Sequence, residues 1–305
     1  MGTFTKIIDR WFPPASQIPE LNGISLDEEP DVRGFDMGYV LDKPHRQGTV
    51  NFGLPDDTGR VTDSAWRSWE NAIATTKQMV ATATIDEVGN TAQPARVATT
   101  FRAVGKDQTK DMTALVTDVS LRQSDLYDQA EALGLSARPL DSAAIAHAVH
   151  YGLTGTSGRW DDIDEVHISD RGDHLVVDQS RYTTAFTVNT AIPQVADILD
   201  SIMDNWEGED VLRRTRFFRP YVLPEGTGDD LATGHGRRWA LVTITGNADA
   251  DLGFRQAIDL NPAIGLHVRR LHGRQRTAAL AGLGLGVFGW QHIGNAQRST
   301  RKDNK

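Results

Sequence analysis

The order in which two hydrophobic periodicities follow one another constrains this 305-residue chain more than any composition figure. Alternating β-branched runs predict strands, and apolar residues recurring every three to four positions predict helices. From residue 49 the order reads strand 49–53, helix 63–80, strand 82–88, strand 96–104, helix 111–133 and strand 135–140. Asp63 caps the first helix, whose apolar face carries Trp66, Trp69, Ile73 and Val80. Leu115, Val119, Leu126, Tyr127, Ala130 and Leu133 line the second, and Gly134 ends it. The same order then returns: strand 182–189, helix 193–203 opened by Pro193, strand 212–223, strand 238–245, helix 248–259 and strand 264–271.

Each series is the β-α-β-β-α-β order of the split βαβ unit, the ferredoxin-like arrangement. The sequence therefore predicts an α+β protein of two tandem ferredoxin-like modules with antiparallel sheets, each burying its own core. The two copies do not align residue by residue, so the repeat resides in element order alone. The expected organisation is an irregular amino-terminal arm (1–48), a first module (49–151), a linker and hairpin (152–180), a second module (181–290) and a polar tail (291–305). Residues 19–48 are dense in Pro, Gly and acidic side chains and read as loop. Asp141 caps a short helix that stops at Gly152, and a hairpin follows over 165–169 and 174–178.

Composition removes several function classes. With no cysteine there is no disulfide framework, no Cys-ligated metal and no thiol nucleophile. No run of 18 apolar residues exists to cross a bilayer, and the first residues lack the apolar core of a secretory signal. Lys6 stands where a myristoylation motif needs Ser or Thr. Phe4, Ile7, Ile8, Trp11 and Phe12 share a helical face with Lys6 and Arg10 between them, and Pro13 and Pro14 stop the run. Such a helix either lies in a membrane interface or packs on its own protein. The expected location is the cytoplasm, with peripheral contact at the inner face of the cell membrane through Phe4–Phe12.

The net charge of −9 conceals an asymmetry: residues 1–210 carry −17 and residues 211–305 carry +8. Much of the positive charge falls in two stretches, 212–220 with Arg213, Arg214, Arg216 and Arg219, and 267–276 with Arg269, Arg270, Arg274 and Arg276. Arginines interleaved with Phe217 and Phe218 suit single-stranded nucleic acid, with rings under bases and guanidinium groups on phosphates; they equally suit a strand with one solvated face. His147 and His150 stand three apart on one helix, and His167 and His174 flank a turn with Asp170 and Asp173. Either group carries metal-ligand chemistry, but the helix pair lacks the partner Glu and third ligand of a known motif, and the turn cluster, which could hold a cation, is equally what a polar hairpin tip presents. Residues 284–289 match G-x-G-x-x-G by letter, yet the 16 residues beyond leave no room for a dinucleotide-binding βαβ unit. Those glycines read as a close-packed apolar segment. No catalytic residue, cofactor site or metal site is assigned.

Certain blocks resemble a known family. These are Arg138, Pro139 and Leu140 before a capped helix, the sequence RPYVLP at 219–224, and LHVRRLHGRQRTAAL followed by GLGLG. The last block supplies Arg269, Arg270, His272, Gly273 and Gln275. The Trp66 and Trp69 helix before a β-branched strand is also in keeping. Together they are similar to an actinobacterial family of usually membrane-anchored proteins that lie beside conjugation or type IV-like secretion ATPases, and more distantly to EccE of type VII secretion. The resemblance implies a non-enzymatic structural or adaptor subunit that docks on an ATPase or on membrane-complex subunits. Arg269, Arg270, Arg274, Arg276, Arg213 and Arg216 are the expected partner contacts. The alternatives are a nucleic-acid-binding module using the basic half and a metal-dependent enzyme using the histidine pairs.

Overall fold

The computed structural model describes residues 18–31, 33–54, 65, 68–69, 72–73, 79–88, 95–102, 108–190, 192–206, 210–218 and 239–286. The strands are β1 (Ile24–Pro30), β2 (Asp36–Asp42), β3 (Gln47–Leu54), β4 (Met79–Val88), β5 (Ala95–Arg102), β6 (Arg138–Pro139), β7 (Ile168–Asp170), β8 (Leu175–Val177), β9 (Arg181–Val188), β10 (Val211–Phe218), β11 (Trp239–Gly246) and β12 (Val268–Arg270). The helices are α1 (Gln108–Ala132), α2 (Ser142–Thr154), α3 (Trp160–Ile163), α4 (Pro193–Asp204), α5 (Leu252–Asp259), α6 (Pro262–Gly265) and α7 (Gln275–Ala281). Ala65, Ser68, Trp69, Ala72 and Ile73 are helical, within the expected 63–80 helix.

The result is a mixed α+β protein with two antiparallel halves of six strands each. In the first half β6, β3, β5 and β4 lie side by side in that order, and β2 and β1 continue outward from β3. In the second half the order is β12, β9, β11 and β10, with β8 and β7 continuing outward from β9. The halves join where β4 and β10 pair antiparallel, from Leu212 opposite Val88 to Phe218 opposite Thr82. The strands that meet thus hold the same place in the strand order of each half. The two modules expected to stand in tandem share one continuous sheet.

The alternation of side chains along each strand divides the core between two faces. On one face Met37, Tyr39, Val50, Phe52, Val97 and Phe101 meet Trp69, Ile73 and the Leu115, Val119 and Leu126 stripe of α1. The Trp69 indole N–H donates to the Leu126 carbonyl at 3.0 Å, which satisfies a polar group in an otherwise apolar layer. On the same face of the second half, Phe186, Val188, Leu212, Val242 and Ile244 meet Val195, Leu199, Met203 and Phe254.

The opposite face is polar where the halves join, with Thr49, Asn51, Arg96, Thr100, Arg213, Thr215 and Thr243 all buried. Each half sends a segment across to cover the other. From the first half α2 reaches β10, where Arg213 donates to the Ala148 carbonyl at 3.5 Å and its guanidinium lies where a Cβ on Gly152 would stand. From the second half the chain after α7 crosses to β5 and β3. Leu283 and Gly284 offer their carbonyls to Arg96 at 2.9 Å and to Asn51 at 3.4 Å. Leu280, Leu283 and Leu285 there join Ile18, Ile24, Val40, Ile145 and Val149 in one apolar cluster. The expectation that each module buries its own core therefore holds for one face only.

Other expectations shift for identifiable reasons. Residues 24–42, expected to be loop, form the β1–β2 hairpin, paired from Ile24 opposite Asp42 to Pro30 opposite Asp36. Asp27, Glu28 and Glu29 lie on β1 at the outer edge of the sheet, where charge is solvated, whereas Asp31 and Asp42 are buried. Gly38 is required inside β2, because a Cβ there would stand 2.6 Å from the Ser142 nitrogen. The expected hairpin is present as β7–β8, and the expected linker before it contains α3; the hairpin is built into the sheet through β8 and β9. The helix after Asp141 runs on past Gly152 to Thr154 and ends on Gly155 in the left-handed region. Residues 264–271 begin as α6 before β12 starts at Val268. The expected strand 135–140 is reduced to Arg138 and Pro139, because β2 already occupies much of the same edge of β3.

Candidate functional site

The arginine-rich block at 267–276 follows from the way β9 is covered. β8 pairs with Arg181–Thr183 of β9 and β12 with Phe186–Val188, which leaves Thr184 and Ala185 between them. Gln275, completely buried, closes this gap with its side-chain amide. Its Oε1 accepts from the Ala185 N–H at 2.6 Å, and its Nε2 donates to the Ala185 and Leu271 carbonyls at 3.2 and 3.1 Å. The main chain repeats the arrangement in the first half. Leu140 donates to the Asn51 carbonyl at 2.9 Å, as Leu271 does to Ala185 at 3.0 Å. Gly273, with φ of 67°, makes the turn between β12 and α7.

The six arginines do not converge. Arg213 is 2% exposed beneath α2, where it braces the helix and cannot reach a partner in this conformation. Arg216 is half-buried on the same strand. Arg270 is half-buried: its Nη2 lies 2.5 Å from Asp251 Oδ2, and its guanidinium stacks 5.7 Å from the centre of the Phe186 ring. Arg255 meets the same Asp251 carboxylate at 3.2 Å. Arg276 pairs with Glu20 at 2.9 Å, which ties α7 to the start of the described chain. Arg274 is half-buried, and Arg269 is exposed. Arg269 thus has the freedom a partner contact needs. Arg270 and Arg276 hold elements together.

Pattern reading missed two residues near Arg269. Leu260 and Leu266 are each 81% exposed at the α5–α6 corner that leads into β12. Leu266 stands three positions before Arg269, and Pro262 and Ala263 between the leucines are exposed as well. Two exposed leucines and an exposed arginine within ten residues of chain make this corner a candidate contact surface. The available signal was faint, because a leucine just past a helix end looks like a core residue.

The four candidate histidines make local hydrogen bonds. His147 Nε2 bonds Ser157 Oγ at 2.8 Å, and His150 Nδ1 bonds the Thr156 carbonyl at 2.8 Å, so both pin the loop after α2. His167 Nδ1 bonds the Glu165 carbonyl at 3.1 Å, and His174 Nδ1 bonds Asp173 Oδ1 at 2.7 Å. Among the described residues no three His, Asp or Glu side chains come together as a metal site, and no helix is long and apolar enough to cross a membrane. The glycine-rich segment is close-packed over 282–286, with Leu283 and Leu285 buried. The Phe4–Phe12 helix, RPYVLP at 219–224 and Gly289 lie outside the described residues.

Glu28 is another residue whose role only the structure discloses. Its carboxylate accepts from the Ser142 N–H at 2.8 Å and from the Ser142 hydroxyl at 2.7 Å, at the first turn of α2. The backbone hydrogen bond, then the hydroxyl bond, hold its pKa below the ordinary carboxylate value. Asp141 Oδ1 caps the same turn by accepting from the Ala144 N–H at 2.7 Å.

Comparison with known protein families returns no matching family model, and comparison with curated proteins returns no match.

Proposed function

We propose that this protein is a non-catalytic docking subunit of an actinobacterial secretion or conjugation apparatus, built from two ferredoxin-like units fused through equivalent edge strands. The strand order supports the ferredoxin-like reading: β6-β3-β5-β4 and β12-β9-β11-β10 both place the first and third strands of the unit at the centre. The blocks at 138–140 and 266–286 support the family reading.

The observation that carries the docking role is the corner formed by Leu260, Leu266 and Arg269. Two leucines 81% exposed beside an exposed arginine offer an apolar anchor with a charge that fixes orientation. The partner this corner suits has a shallow apolar pocket with acidic groups at its rim, as a surface of an ATPase or of a membrane-complex subunit can supply.

The test is co-purification from the cells that make the protein. Tagged wild-type chain is expected to recover a secretion or conjugation ATPase or its membrane subunits. Leu266→Asp with Arg269→Glu is expected to lose that partner while keeping the wild-type circular dichroism spectrum. Recovery of the same partner by wild type and variant alike refutes the corner as the docking surface. Recovery of metabolic enzymes alone refutes the proposed apparatus.

A further inference from the structure

We infer that β1 is an acceptor edge for one added strand, and that the strand it accepts alternates basic and apolar residues. β1 ends the strand order of the sheet. All seven of its residues pair with β2 on the inner side, and no described strand pairs with its outer side. At the opposite end of the sheet β7 has only three residues, so β1 is the longer of the two outer edges. An open edge presents unpaired N–H and C=O groups at the spacing another strand needs.

The two faces of β1 specify the incoming side chains. Asp27 and Glu29 stand opposite Tyr39 and Met37 and so share their face of the sheet. Ile24 and Leu26 lie on the other face, in the apolar cluster beside α2, and Glu28 follows them there with its carboxylate held by Ser142. A strand laid along β1 therefore places its residues alternately against a carboxylate pair and against an apolar row that it would lengthen. Lysine or arginine at every second position, with Val, Ile or Leu between, satisfies both faces.

The same charges disfavour a second copy of this chain in the register centred on Asp27. Antiparallel self-pairing centred on Asp27 sets that residue against itself, Leu26 against Glu28 and Ser25 against Glu29, so carboxylates crowd one another and meet apolar side chains. The acceptor edge lies in the first half, apart from the Leu260, Leu266 and Arg269 corner in the second.

The probe is a fluorescent eight-residue peptide alternating Lys with Val, titrated into the full chain at low and high salt. Two controls accompany it: a block peptide of the same composition, and the alternating peptide N-methylated along one edge. The alternating peptide is expected to bind and to slow hydrogen exchange at residues 24–29, and added salt is expected to weaken it. Both control peptides are expected to bind at least tenfold more weakly. Asp27→Lys with Glu29→Lys is expected to reduce affinity about tenfold. Equal binding of either control peptide, or protection elsewhere than β1, overturns the inference. The N-methylated control uses wild-type protein, so it tests the edge even if the charge-reversed variant does not fold. Loss of ATPase recovery through the Leu266 corner leaves this result unaffected, so the two readings fail separately.

Discussion

Replacing Gln275 probes how the second half is held together. In Gln275→Ala the Ala185 N–H loses its acceptor inside a fully buried site. An orphaned buried N–H costs about 1–3 kcal/mol. The two lost donations cost less, because the Ala185 carbonyl keeps the Leu271 N–H at 3.0 Å and the Leu271 carbonyl keeps the Arg274 N–H at 3.1 Å. With the void left by the amide, the expected loss is about 2–4 kcal/mol in urea unfolding. Gln275→Glu sharpens the test. Its first oxygen can still accept from Ala185, but the second faces the Ala185 and Leu271 carbonyls without a proton. Burial and those carbonyls disfavour the ionised form, so the folded pKa of the new carboxyl rises above its unfolded value. A raised folded pKa gives stability that is present at low pH and lost as pH rises through the folded value. The variant should therefore approach wild type near pH 4 and fall furthest behind it above pH 7. A loss below about 1 kcal/mol for Gln275→Ala, or a pH-independent gap for Gln275→Glu, refutes the bridging role.

Two further outcomes follow from the first half. Gly38→Ala sets a methyl 2.6 Å from the Ser142 nitrogen and 2.7 Å from the Asp141 carbonyl carbon, both main-chain atoms that cannot rotate away. Thermal and urea unfolding should show a loss of about 1–3 kcal/mol, and a variant as stable as wild type would mean that α2 does not lie this close to β2. Glu28 has a lowered folded pKa, so its contribution is present above the ordinary carboxylate value of 4.5 and disappears as pH falls through the lowered folded value. Glu28→Gln should therefore remove one component of the acid loss of stability below pH 4.5, seen as a shallower ΔG-against-pH curve than wild type; identical curves would sink the capping role.

The helices that carry clear periodicity are legible in the sequence. Leu115, Val119 and Leu126 face the sheet from α1, and Val195, Leu199 and Met203 do so from α4. Such stripes state which face is buried without reference to distant residues. The β1–β2 hairpin is not legible, because Asp27, Glu28 and Glu29 look like loop residues unless the strand is known to lie at an edge. In the candidate site, spacing draws attention to the arginines but cannot rank them. Arg213, Arg269 and Arg270 are alike as letters. One is buried beneath α2, one is exposed, and one is committed to Asp251.

The sequence by itself determined the order of the central strands and long helices and the sidedness of those helices, because these depend on residues a few positions apart. The tertiary structure decided that the two series join through β4 and β10, that α2 and the 282–286 segment cross to opposite halves, and that Gln275 closes a gap in strand pairing. Each of these is a contact between residues far apart in the chain. Local pattern fixes which groups seek burial or hydrogen bonds, and only the folded arrangement fixes which distant groups they find.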